Sequence, residues 1–575
     1  MANVDEVLNA AARISFAAGE HGTFRGIDTL LAKLVQIPRP QPQAWALALR
    51  VMRWSFDPES APTPQPDEAA RFIKESQEVR EVAARACAVM QRVWIRAFDT
   101  KRLAQWIETH AALNGFATTK GKGADVEDTG PRDVGLWSAR LWQRFLAGDT
   151  SGEEGDAKAL FDEASRQRAA PQVIESAVLR ALLALSAGST DEAVELARRA
   201  SRMAQSEALP QLEYLANVTL ARVRRYSGRP HLALHILAAL GRVAPPAWSG
   251  WIGWETLLGG GEVTRKDNPE SALHGAPAMV AERSLAALIT AARGGDRAVF
   301  DDAAATLESA AGVWPDLARE VQALLAALDP MRETIPDFAR PWSRGETAII
   351  PCGLHGIGIP QGAGSETEGA TAFVLAKPGA EGRRFLRPGL TFAQSARLLA
   401  RDSAKTTAGG VRTETGIAAL ALAGEPGTTR EVFFRSVYGF PFVAHRHQAV
   451  LDVLCHRMRT LLGDAGEVRR DSGDAAAAAD PHAASGPSLS LVLRRPVVVP
   501  DMRCALPTAD RVLRALATLG TTSASSAADS LRMPLRTVQA VLQQLVAEGA
   551  CSIERDGRRV AYKIEDTTFT EITSA

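Results

Sequence analysis

Cysteine is scarce in this chain, and what there is does not pair up. The five cysteines (Cys87, Cys352, Cys455, Cys504 and Cys551) are odd in number and far apart, which excludes a disulfide framework and suits a reducing compartment. Long apolar stretches are missing too. No run reaches the roughly 18 residues that a membrane-spanning helix needs, and the N-terminus shows no basic-then-apolar leader. The expectation is a soluble, cytoplasmic protein with no membrane partner. Excess charge of either sign is also absent, since 66 basic residues face 66 acidic ones. Any basic surface must therefore be local. The enzyme signatures fail one by one. There is no G-x-x-x-x-G-K-[ST] phosphate loop, because Lys120-Gly121-Lys122-Gly123 lacks both its frame and a preceding strand, and no G-x-S-x-G elbow occurs. His445-x-His447, Cys455-His456 and Cys352-x-x-His355 are isolated pairs without the converging ligands of a metal site. No catalytic residue, metal or cofactor is expected.

What is present is helix, for most of the chain. At 575 residues there is room for three or four domains. Residues 1–117 offer helix candidates at Asp5–Ala18, Arg25–Gln36, Gln43–Trp54 and Ala69–Phe98, separated by Pro-rich turns at 38–42 and 58–66. A polar, Gly-rich loop over 118–132 follows. Within 133–340, small-residue turns fall at Gly148, Gly188 and Gly228, each 40 residues from the last. Every turn separates two amphipathic helical segments, and Gly294-Gly295 repeats the arrangement. Helical hairpins at a fixed period, with alanines where helices approach, form an α-solenoid. The region resembles tetratricopeptide-type repeats, although its period exceeds that family's usual 34 or so and the consensus aromatics are mostly missing. The resemblance implies a surface for a protein or peptide. Trp248, Trp251 and Trp254, three apart, suit either an aromatic pocket or packing within the hairpin stack.

From 341 to 410 Gly and Pro become frequent. Short strands are expected at Ala348–Pro351, Gly356–Ile359, Ala372–Leu375 and Arg384–Leu386, then a helix at Thr391–Ala400. Three helices follow: one around Gly416–Gly424, one over Thr428–Tyr438 capped by Thr428 or Thr429, and one from His445 to Leu462. Val450, Leu451, Leu454, Met458, Leu461 and Leu462 would be the buried stripe of the third. Val411-Arg412-Thr413-Glu414, Glu425-Pro426-Gly427, Arg430-Glu431-Val432, Val437-Tyr438-Gly439 and Leu451-Asp452-Val453 resemble the effector domain of OmpR/PhoB-type response regulators. That resemblance implies a winged helix over 411–500, with Arg446, Arg457 and Arg459 toward DNA. Thr460 and Leu461 stand where that family carries basic residues. The wing would pair Glu467–Asp471 with Ser488–Val499 around an Ala-rich insertion at 473–487. No receiver-like alternation of strand and helix precedes this domain.

A second candidate of the same class occupies 505–566. Thr508–Leu519 and Ser525–Leu531 read as helices, Arg532-Met533-Pro534 as a turn, and Leu535–Glu548 as the long third helix. Leu535, Val538, Val541, Leu542, Leu545 and Val546 would face inward, with Arg536, Thr537, Gln539, Gln543 and Gln544 outward. Cys551–Arg555 and Arg558–Ile564 then form a hairpin about Asp556-Gly557. The stretch is similar to the winged helix-turn-helix of MarR- or ArsR-like bacterial regulators. That implies base contacts by Arg536, Thr537, Gln539 and Gln543, and phosphate contacts by Arg555, Arg558, Arg559 and Lys563.

The expected architecture is thus mainly α: an N-terminal solenoid of helical hairpins, then two α+β winged helix-turn-helix domains. The expected function is a bacterial transcription regulator that binds double-stranded DNA, takes a protein or peptide on its repeats, and can form a homodimer. The alternative is a non-enzymatic adaptor whose winged helices serve assembly.

Overall fold

A computed structural model describes residues 4–21, 26–59, 61–115, 133–149, 152–263, 271–332, 354, 357, 371–399, 410–471, 488–504, 507–556 and 559–564. The described chain is mainly helical, with small sheets confined to its C-terminal part. The expected strands at 348–351 and 356–359 lie outside the described residues, apart from Ile357, as do the insertion at 473–487 and the loop at 118–132.

The N-terminal block runs Val4–His21, Ile27–Val35, Pro40–Phe56, Pro66–Ala70, Gln77–Arg96 and Thr100–Leu113. The single helix expected over Ala69–Phe98 is two. Arg71–Glu75 turns between them, because Phe72 is pulled into the core and Ser76 is extended at the start of the next helix. Pro40 and Pro42, expected as a turn, instead occupy the first helical turn, where a missing N–H costs nothing. Thr100–Leu113 was not anticipated; the Asp99 side chain caps it by accepting from Arg102 N at 3.0 Å.

Hairpins follow: Val134–Ala147 with Glu153–Arg166, Ala170–Ser186 with Thr190–Ser206, Pro210–Tyr226 with Pro230–Val243, then Ser249–Leu258, Pro277–Gly294 with Arg297–Ala311, and Pro315–Leu328. Gly148, Gly188, Gly228 and Gly295 end the first helix of each pair at φ 79°, 83°, 74° and 74°, a conformation glycine adopts without a Cβ penalty. Between hairpins the chain takes the same left-handed turn at Arg168 and Ala208, again 40 residues apart, without glycine. Thr190–Ser206 shows how the stack closes. Its buried face is Ala193, Ala197, Ala200, Ser201 and Ala204, so the neighbouring helix comes close enough for Ser201 Oγ to bond Asn217 Oδ1 at 2.8 Å. Trp248, Trp251 and Trp254 are all buried. Trp251 and Trp314 pack on Phe98, whose backbone is held at φ 58°.

Ala372–Ala376 lies between Arg383–Leu386 and Val497–Pro500, antiparallel to both, and Arg397-Leu398 adds a short parallel edge to Val497–Pro500. The segment at 341–410 therefore shares a sheet with the end of the 411–500 segment. The helix expected at Thr391–Ala400 is instead a 3-10 turn, Arg387–Ala393, followed by that edge strand. Gly389 sits so close to the end of Pro315–Leu328 that a Cβ would lie 2.0 Å from Leu328 O. Thr391 Oγ1 bonds Ala292 O at 2.6 Å. These contacts seat the sheet on the last hairpin.

The next three helices are Gly410–Ala423, Arg430–Tyr438 and Ala444–Leu462. Gly466–Asp471 pairs antiparallel with Ser488–Leu493, and Thr428-Thr429 completes a three-stranded sheet. The strand-like stretch Ser488–Val499, in which Pro496 marks an edge or a break, does break at 494–496, where Pro496 has no N–H to donate, and resumes in the other sheet. Finally come Thr508–Leu519, Ala524–Leu531, Leu535–Ala547 and the hairpin Cys551–Asp556 with Arg559–Ile564, tied back by reciprocal backbone bonds between Thr522 and Tyr562.

Candidate nucleic-acid interface

Two third helices are offered to solvent. In the first unit, Thr429 caps Arg430–Tyr438, Gly439 ends it at φ 80°, and the turn that follows is built on aromatic rings. Phe434 stacks on Tyr438 (4.3 Å) and on His447 (4.8 Å), while His447 Nδ1 accepts from Val443 N at 2.9 Å. His447 thus holds the entry to Ala444–Leu462. Leu451, Leu454, Cys455, Met458 and Leu462 form that helix's buried side. Val450, expected inside, is 41% exposed, and Leu461 is half-buried.

The outward side is less basic than its arginines suggest. Arg459 donates from Nε and Nη2 to Val468 O (3.2 and 3.0 Å), so it clamps the helix to the neighbouring strand. Arg470 is drawn onto Asp452 (2.5 Å), and that hydrogen bond holds the Asp452 carboxyl below its ordinary pKa. Arg446 and Arg457 stay exposed, with no hydrogen bond or ion pair among the described residues. Between and beside them stand Val450, Val453 (51% exposed), Val443 and Phe440 (44%). Cys455 is buried and His456 exposed; Cys352 and His355 lie outside the described residues.

In the second unit, Arg536, Thr537, Gln539 and Gln543 all face solvent on Leu535–Ala547. Val538, Leu542 and Leu545 are buried, and Val541 and Val546 half-buried. Leu535, expected inside, is 43% exposed, because the first helical turn overhangs the core after Pro534. Arg555 and Lys563 are exposed on the hairpin, Lys563 within 3.7 Å of Glu554. A pair that open contributes little to stability. Arg558 lies outside the described residues, as does the side chain of Arg559. Arg532 reads in the sequence as a turn residue. It closes Ala524–Leu531 in the left-handed region (φ 49°) and is exposed just ahead of the third helix. An arginine immediately before Met-Pro at a helix boundary was the available signal.

The second unit is seated on the repeats by its first helix. Leu234 of Pro230–Val243 enters the core formed by Val512, Leu513, Leu516, Val538 and Leu542. Arg514 Nη2 bonds Gly260 O at 2.5 Å. His231, beside this joint, is buried, and burial with Arg229, Arg224 and Arg514 nearby pushes its pKa down to about 4. The carboxyl of Asp510, also near Arg229, has its pKa raised by burial. Free histidine titrates near 6.5, so the unfolded chain takes up this proton first. Stability from His231 is full above about pH 6.5 and is lost as pH falls toward 4, by roughly 3 kcal/mol. His231→Gln should flatten that part of a denaturation-midpoint-versus-pH curve. An unchanged curve would remove His231 as its source.

No family model matches the chain, and no curated protein or solved structure matches it either. Among the described residues no helix is long and apolar enough to cross a membrane.

Proposed function

We propose that this chain is a DNA-binding transcription regulator of the bacterial type, in which helical repeats of the tetratricopeptide kind carry two winged helix-turn-helix units. The observation that supports this most is the outward face of Leu535–Ala547. Arg536, Thr537, Gln539 and Gln543 stand together in solvent beside a hairpin bearing Arg555 and Lys563, while the unit docks on the repeats through a different helix. Gln and Arg side chains on a helix can bond base edges, and the hairpin cations neutralise phosphates. No catalytic step belongs to this reading. Binding of a protein or peptide to the repeats would act through the Leu234–Arg514 joint, and a second copy of the chain would double the half-site.

The test is fluorescence anisotropy of the full chain on pooled genomic duplexes across a salt series. Log affinity should fall steeply with log salt, and Arg555→Ala with Lys563→Ala should reduce the slope by about two units. Gln543→Ala should alter preference among sequences more than affinity for the pool. Absence of binding at low salt ends the proposal.

For the first unit a different reading is favoured by a specific observation. The apolar patch of Phe440, Val443, Val450 and Val453, with Arg459 and Arg470 already engaged, fits protein assembly better than phosphate contact. The chain would then read DNA with its last unit and meet a partner with its first.

A further inference from the structure

Helix Gln77–Arg96 sends Arg85, Arg92 and Arg96 to a cavity of about 280 Å³, closed by Pro40–Phe56 and the start of Pro210–Tyr226. The rest of its wall is largely apolar: Met52, Phe56, Val89, Val93, Leu209 and Leu212. Two of the arginines have partners. Arg85 lies over the Trp45 ring at 5.2 Å, and Arg92 Nε donates to Glu175 Oε1 at 2.6 Å. The other oxygen of Glu175 accepts from Ser138 at 2.7 Å, so that carboxylate is fully used.

Arg96 differs. It is 4% exposed, and its two bonded nitrogens reach only neutral acceptors, Gln211 Oε1 (2.7 Å) and Ser55 O (2.6 Å). The guanidinium lies 5.2 Å from the Trp248 ring centroid, and its Nε has no acceptor among the described residues. No carboxylate pairs with it there. Gln211 Oε1 also accepts from Trp248 Nε1 at 2.9 Å, which fixes the amide's orientation and leaves Nε2 as a second buried donor without an acceptor. Both residues line the cavity, while these donor atoms are themselves enclosed. A buried, uncompensated cation and an orphan N–H are each costly, and an anionic acceptor admitted by a side-chain shift relieves both. Burial and the nearby Arg92 lower the pKa of Arg96 to about 9, so it remains mainly charged at neutral pH.

We propose that this cavity binds a small organic acid, its carboxylate taken by Arg96 and Gln211 and its hydrocarbon body by the apolar wall. Two donors suit the two oxygens of a carboxylate, and the apolar part of the wall suits a hydrocarbon body that phosphate lacks. The volume is at the low end for ligand sites, which calls for a short chain or a single ring. The site stands independently of the DNA reading.

Calorimetry and thermal unfolding of the full chain with octanoate, octanol, octylammonium and inorganic phosphate test it. Octanoate should bind at one site and raise the melting temperature. Octanol should bind at least about ten-fold more weakly, and octylammonium and phosphate not measurably. Arg96→Met should abolish the preference for octanoate over octanol. Gln211→Glu places a carboxylate beside Arg96 from within the chain. It should melt higher than the parent and no longer bind octanoate, which keeps the test decisive if Arg96→Met fails to fold. Equal binding of octanoate and octanol, competition by phosphate, no octanoate binding, or octanoate binding that survives Gln211→Glu would each overturn the assignment.

Discussion

Glu320→Gln is expected to lower the stability of the repeat region by about 3–5 kcal/mol, among the largest losses a single side chain here can cause. Arg222, Arg225, Glu255 and Glu320 are all essentially without solvent exposure, two cations against two anions. Arg222 reaches Glu255 at 2.8 Å and Glu320 at 3.0 Å; Arg225 reaches the same two at 2.8 and 2.5 Å. Tyr226 Oη (2.8 Å) and Trp254 Nε1 (3.4 Å) also donate to Glu320. Burial disfavours every one of these charges. The opposing neighbours win, holding Glu320 below its ordinary pKa and Arg222 well above its own. The glutamine variant removes one anion and leaves two buried guanidinium groups sharing Glu255. Replacing all four together with methionine and leucine should restore most of the loss, since no charge is then left alone. Urea denaturation of both variants checks this. A quadruple variant no more stable than Glu320→Gln would mean that apolar packing cannot stand in for these pairs.

That network shows where sequence reading stops. Thr219–Gly228, TLARVRRYSG, has the composition of a solvent-facing helix end, because arginine on an amphipathic helix ordinarily marks the wet side. Here Arg222, Arg224 and Arg225 are all buried. The partners of Arg222 come from 33 and 98 residues away, a separation that no local pattern encodes. The hairpin turns were legible for the opposite reason, since glycine at a helix end states a backbone requirement on the spot. Arg168 and Ala208 take the same turn without that label and passed unnoticed. The three helices at 410–462 could be placed because Thr429, Gly439 and Gly463 punctuate them. The strands Ala372–Ala376 and Arg383–Leu386 were legible as short apolar runs, but their pairing with Val497–Pro500 was not, since that register is set across the whole unit. For the candidate interface, periodicity found the outward residues of Leu535–Ala547 but could not tell that Arg459 and Arg470 would be occupied.

Leu234→Asp should undock the last unit from the repeats while leaving both folded. Pro230–Val243 divides its apolar residues between two cores. Ala233, Ile236 and Leu237 pack with the repeats, whereas Leu234 packs with Val512, Leu513 and Leu516 of the last unit, and Leu232 lies beside it. An aspartate at 234 would remove that contact and set a carboxylate against valine and leucine. Loss of a buried leucine costs about 2–5 kcal/mol, and an ill-placed charge adds to it, enough to break a joint of this size. Hydrogen exchange should then show Thr508–Leu519 losing protection and the repeat helices keeping theirs, with unfolding split into two transitions. Because Arg536, Thr537, Gln539 and Gln543 lie away from the joint, DNA affinity at fixed salt should hold within about three-fold, under 1 kcal/mol. Any part of a repeat-bound partner's effect on that affinity that is carried through this joint should vanish. If Thr508–Leu519 keeps its protection in Leu234→Asp, this joint does not couple the helical hairpins to the last unit.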